Sequence, residues 1–104
     1  MSNEKENVSH FMYETQEVKD QIPENIRSVL WFMLQELDAP SPNHHFKLNV
    51  TTVKEDIRLY QHIIHTQKGT KYRREFSFKC FNPVVLSVYI VGFDNDNWLM
   101  LLQP

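Results

Sequence analysis

Residues Pro23–Leu37 read PENIRSVLWFMLQEL, and the spacing of their apolar side chains decides how the rest of the chain must be arranged. Ile26, Val29, Leu30, Met33, Leu34 and Leu37 recur every three or four residues, the stripe by which a helix faces a core. Pro23 suits a first helical turn, where its missing N–H forfeits no bond, and Glu24 suits the positive end of the helix. Pro40 and Pro42 cannot continue it, so the helix is expected to stop by Asp38 or Ala39. Trp31 and Phe32 fall on the flanks of the stripe.

Outward from this helix the chain reads mostly as strands. Before it, Met1 to Ser9 is polar and is expected to be a disordered tail. From His10 to Val18, Phe11, Tyr13 and Thr15 alternate with His10, Met12 and Glu14, which predicts a short strand. After a polar loop from Ser41 to His45, Phe46 to Val53 alternates as a half-buried strand would. Ile57 to Thr66 fits a helical period in part, but its β-branched content and length favour a strand. Gln67 to Thr70 is a turn around Gly69. Tyr72 to Cys80 alternates cleanly until Asn82-Pro83 breaks it. Val84 to Phe93 is almost continuously apolar, as a central strand covered on both faces would be. A turn at Asp94 to Asn97 leads to a last strand, Trp98 to Leu102. The expectation is an α+β fold with one helix packed on an antiparallel sheet of about five to six strands, in the order β-α-β-β-β-β. Short turns among the later strands predict a meander. Residues 10–104 form a single domain in this reading.

Composition narrows the classes of function. The chain has 104 residues, 11 basic and 13 acidic side chains and a formal charge of -2, which argues against a general binder of phosphate backbones. One cysteine, Cys80, excludes an internal disulfide and a multi-cysteine zinc site, and its parity with Phe76 and Phe78 marks a core thiol. Two glycines could hardly build a phosphate-cradling loop or a nucleophile elbow, and neither motif is present. No apolar run reaches the ~18 residues of a membrane span, and no apolar signal-peptide core is visible. A cytoplasmic protein without a cofactor is expected.

Histidines are the first place to look for chemistry. His44 and His45 are adjacent in the expected loop, and His62 and His65 would point to opposite faces of a strand. Exposed or hydrogen-bonded histidines explain them better than metal ligation. Asp94 and Asp96 read as turn formers. The basic run Lys71, Tyr72, Arg73 and Arg74 is the candidate nucleic-acid surface, since aromatics beside arginines can stack bases and hold phosphates. Alternation nevertheless puts Arg73 and Arg74 on opposite faces, and a charged edge strand explains the run equally well. The remaining anomaly is an excess of aromatics. Trp31, Phe32, Tyr89, Phe93 and Trp98 are candidate partner-binding residues, because a two-layer domain leaves one sheet face uncovered and exposed aromatics mark interfaces.

The order of Ile22-Pro23 before a helix with Leu30-Trp31, then His65-Thr66-Gln67 before Lys71-Tyr72-Arg73, then Val88-Tyr89-Ile90-Val91 and Leu99-Met100-Leu101 resembles the "domain of unknown function 960" family. The likeness runs from about Phe11 to Leu102. That family comprises small proteins of Gram-positive bacteria, often carried by phages and other mobile elements. The resemblance implies an accessory protein acting on a host factor, and it carries no catalytic residues. Lys68-Gly69, Gly92-Phe93-Asp94 and the Gln103-Pro104 ending depart from the family pattern. The resulting expectation is a non-enzymatic interaction protein with a protein partner or a second copy, and a small nucleic-acid-binding module as the alternative.

Overall fold

The computed structural model describes residues 11–37, 41–53, 56–94 and 96–102; the tail expected at 1–9 lies outside them, and the helix expected to stop by Asp38 or Ala39 ends at Gln35. Strand β1 (Phe11–Glu14) leads into helices α1 (Gln16–Gln21) and α2 (Glu24–Gln35). Strands β2 (Asn43–Val53), β3 (Asp56–Gln67), β4 (Arg73–Lys79), β5 (Leu86–Phe93) and β6 (Asn97–Leu101) follow. Across the single six-stranded sheet the order is β1-β6-β5-β2-β3-β4. The fold is α+β in character, with far more sheet than helix.

Four expectations are corrected. The first concerns the strand read over His10 to Val18, which ends at Glu14. The Thr15 hydroxyl accepts the Val18 N–H at 3.2 Å and caps a short helix that buries Val18. A side-chain cap satisfies a helix-end donor, and here it outweighs the local alternation. The second is the all-antiparallel sheet: β1 runs parallel to β6, with Phe11 beside Asn97 and Glu14 beside Met100. This direction brings Glu14 to α2, where its carboxylate accepts the Trp31 Nε1–H at 2.8 Å and lies 3.1 Å from Arg27 Nε. Third, β2 begins at Asn43, so His44 and His45 are strand residues rather than a loop.

The fourth correction is the meander. β2–β3, β3–β4 and β5–β6 are antiparallel neighbours, but the chain crosses from the β4 edge to place β5 between β2 and β6. The reason lies in composition: β5 is apolar on both parities and belongs inside the sheet, whereas charged β4 can tolerate an edge. Gln61 holds the crossing segment. Its fully buried amide accepts the Val84 N–H at 2.8 Å and donates to the carbonyls of Val84 at 3.0 Å and Asn49 at 2.9 Å. Gln61→Leu is expected to cost about 2–4 kcal/mol, because the Val84 backbone groups lose their partner. A urea midpoint unchanged by that substitution would mean that the crossing is held by something else.

One buried cluster joins the layers. Ile26, Leu30, Met33 and Leu34 of α2 and Val18 of α1 belong to the same core as Phe46, Leu48, Ile63, Val88, Ile90 and Met100 of the sheet. The 67–70 turn forms as read: Gly69 takes φ +80°, a left-handed conformation that suits glycine, and the Thr70 N–H bonds the Gln67 carbonyl.

Candidate functional site

Because strand side chains alternate, the buried residues of each strand determine what its neighbours present. Phe46 and Leu48 of β2, Val88 and Ile90 of β5 and Met100 of β6 point to the helix side. His45, Tyr89, Val91, Phe93, Leu99 and Leu101 therefore point to the other face. Register then gathers them. Tyr13, Leu99 and Val91 stand in one row across β1, β6 and β5, and Leu101, Tyr89 and His45 in another. Tyr13 and Phe93 approach with ring centroids 6.1 Å apart, and His45 stacks on Tyr89 at 4.8 Å. Phe11, Tyr13 and Phe93 are 51%, 50% and 42% exposed. No described element covers this apolar half of the face. Towards β4 the same face turns polar: Glu75 accepts from His62 at 3.0 Å and pairs with Arg73. Between the halves, His45, Tyr89, Val91, Asn43, Thr66 and Lys68 border a recess of about 380 Å³. His45 Nε2 is buried there without a hydrogen-bond partner.

The predicted partner-binding residues are divided by this arrangement. Tyr89 and Phe93 lie on the open face. Trp31 is buried against Glu14. Trp98 is on the helix side, over Gly92, where a Cβ would come within 3.0 Å of its ring. Phe32 is 58% exposed but sits on α2. Phe11, Tyr13, Leu99 and Leu101 were missed by the sequence reading. Their common signal was the odd-numbered apolar residues of the first and last strands, which only the β1–β6 pairing unites.

The predicted nucleic-acid run is also divided. Arg73 is on the open face and bonded to Glu75, while Arg74 is on the helix side and bonded to Glu36. Lys71 is exposed, and Tyr72 packs edge-on to His65 with centroids 5.1 Å apart. Both guanidinium groups thus have carboxylate partners, so little uncompensated positive charge is offered to a phosphate chain.

A histidine pair not anticipated by the sequence lies beneath β2 and β3. His44 and His65 are both buried, with His44 Nδ1 3.0 Å from His65 Nε2. His44 Nε2 is 2.7 Å from the Ser41 carbonyl, which can only accept. The Nε2 proton of His44 therefore goes to Ser41, His44 Nδ1 accepts, and His65 Nε2 donates to it. His65 Nδ1 is left as a buried lone pair without a donor. Burial, aided by the neighbouring His44 and Arg74, pushes the His65 pKa down to about 3. Burial also lowers that of His44, against the opposing Ser41 bond. The pair is thus neutral. Among the described residues no cluster of three metal-ligating side chains occurs. Cys80 is a buried thiol directed at Asn82 Oδ1 at 3.1 Å, with no imidazole base bonded to it among the described residues.

No described helix is long and apolar enough to cross a membrane. No family model matches the chain, and no curated protein or solved structure matches it either.

Proposed function

We propose that this is a non-enzymatic interaction protein that binds a protein partner in the cytosol through the open, apolar half of its sheet. The observation that carries this reading is the contiguous group Phe11, Tyr13, Val91, Phe93, Leu99 and Leu101. Three strands assemble it, and no described element covers it. Aromatic side chains held on a rigid sheet supply large contact area at little entropic cost, the character of interface hot spots. In this reading the helices pack on the other face and leave this one to the partner. An accessory role on a phage or mobile element, as the family resemblance implies, fits a surface of this kind.

Affinity capture from a host lysate tests it. The native chain is expected to retain a partner that Tyr13→Asp/Phe93→Asp loses about tenfold, while Val85→Asp, at an exposed position elsewhere, retains it. Equal capture by all three proteins would remove the face from the account. A captured species that nuclease treatment releases would instead favour the nucleic-acid reading built on Lys71, Tyr72, Arg73 and Arg74.

A further inference from the structure

The sheet ends in an unusually capable edge. β4 is seven residues long, RREFSFK, pairs only with β3 among the described residues, and shows no register shift along that ladder. Of the usual devices that blunt an edge, β4 has charge, in Arg73, Glu75 and Lys79, but no proline, no bulge and no very short span. The direction of its free groups follows from one bond. The Cys80 N–H donates to the Leu59 carbonyl at 3.0 Å, so Phe78, Phe76 and Arg74, on the same parity, also turn their N–H and C=O towards β3. Arg73, Glu75, Ser77 and Lys79 consequently direct theirs outward.

The geometry points to a second copy of this chain as the occupant of that edge, with β4 pairing antiparallel to β4 about a two-fold axis through Ser77. Only registers that oppose outward-facing residues can form the ladder, and the charges choose among them. Centring on Phe76 opposes Arg73 to Lys79, and centring on Glu75 opposes two glutamates. Centring on Arg74 or Phe78 overlaps only three strand residues, whereas centring on Ser77 overlaps five and opposes Glu75 of each copy to Lys79 of the other, a complementary cross-strand pair. Each of the pairs Glu75–Lys79, Ser77–Ser77 and Lys79–Glu75 can then exchange two main-chain hydrogen bonds. Glu75 already accepts from Arg73 and His62, and a carboxylate has lone pairs left for the ammonium.

The same register explains the apolar residues at this edge. On the helix side Phe76, which is 40% exposed, meets Phe78 of the second copy, and the reverse. Phe81, 91% exposed just beyond the strand, comes opposite Arg73 of the other chain. Asn25, Val29, Phe32 and Glu36 form the row of α2 that faces β4, since Asn25 bonds Cys80 and Glu36 bonds Arg74. Phe32 therefore borders the new contact. A two-fold axis normal to the sheet keeps both open faces on one side, so the dimer would present its partner-binding surface twice.

An edge contact of this size falls below about 1,200 Å² and gives weak association. Sedimentation velocity is expected to show monomer near 1 µM and dimer near 500 µM, both about the range of weak complexes. Lys79→Glu should weaken the dimer about tenfold, and Glu75→Lys/Lys79→Glu should restore it. Ser77→Pro removes an outward N–H but no bond to β3, and should abolish association in a folded monomer. Amide exchange reads the interface directly: the Ser77 N–H should become protected as concentration rises, while those of Phe76 and Phe78 are protected throughout. A monomer at every concentration would overturn the proposal. So would a dimer that leaves Ser77 exchanging freely or ignores Lys79→Glu. The Tyr13→Asp/Phe93→Asp variant should dimerise normally, which separates this inference from the partner-binding surface.

Discussion

Replacing Phe46 by alanine is expected to destabilise the fold by about 3–5 kcal/mol, the range for emptying a well-packed aromatic site. Phe46 has no exposed surface. It lies in β2, hydrogen-bonded on both sides, opposite His65 in β3 and Val88 in β5. The ring stacks on His65 with centroids 4.1 Å apart and planes 18° apart. Neighbours tied into two ladders cannot collapse into the space, so most of the cavity would persist. Phe46→Leu keeps most of the volume and should cost about 1–1.5 kcal/mol. Phe11→Ala, at a residue 51% exposed, should cost less than about 1 kcal/mol. Urea denaturation of the three variants measures the order; equal losses for Phe46→Ala and Phe11→Ala would place the centre of the core elsewhere.

Acid is expected to unfold the protein through His65. In the unfolded chain this imidazole has its ordinary pKa of 6.5, and in the fold it is pushed down to about 3. Below pH 6.5 the unfolded state therefore takes up a proton that the folded state refuses. Stability is fully present above pH 6.5 and declines by about 1.4 kcal/mol per pH unit below it, levelling off near pH 3. The loss from this one group is on the order of 4–5 kcal/mol, a large share of a small domain's stability. His44 and His45 are also lowered by burial and steepen the decline. Glu75, whose pKa is lowered by its bonds to Arg73 and His62, acts only below the ordinary carboxylate value of 4.5, so the window from 6.5 to 4.5 belongs to the histidines. Urea midpoints at pH 7.5, 6.5, 5.5 and 4.5 should fall across that window, with a shallower slope in His65→Phe. A midpoint constant from pH 7.5 to 5 would mean that the pair is solvated.

Local pattern carried much of the fold. The stripe Ile26, Leu30, Met33 and Leu34 was a helix and was buried, and Ile57 to Thr66 was a strand despite its partly helical period. Each property belongs to side-chain spacing along one element, which sequence displays directly. Where the local signals conflicted, chemistry outside the period decided. Thr15 capped a helix where alternation predicted a strand, and the ladder to β5 drew His44 and His45 out of a loop. The candidate site was less legible because its residues come from opposite ends of the chain. Tyr13 and Leu99 are neighbours only through a parallel pairing, and nothing in either segment encodes its partner.

Apart from α1 and the start of β2, the sequence by itself determined which segments are helix or strand, which face of each is apolar, and that Arg73 and Arg74 must part to opposite faces. Those follow from periods of 3.6 and 2 and need no knowledge of neighbours. The tertiary structure alone decided strand order, the β5 crossing held by Gln61, the contact between His44 and His65, and the division of the aromatics. Trp31 and Trp98 went to the helix side, and Tyr89 and Phe93 to the open face. Strand pairing is a competition among all edges at once, settled by which arrangement buries the most apolar surface with every main-chain group bonded. That comparison exists only for the assembled sheet.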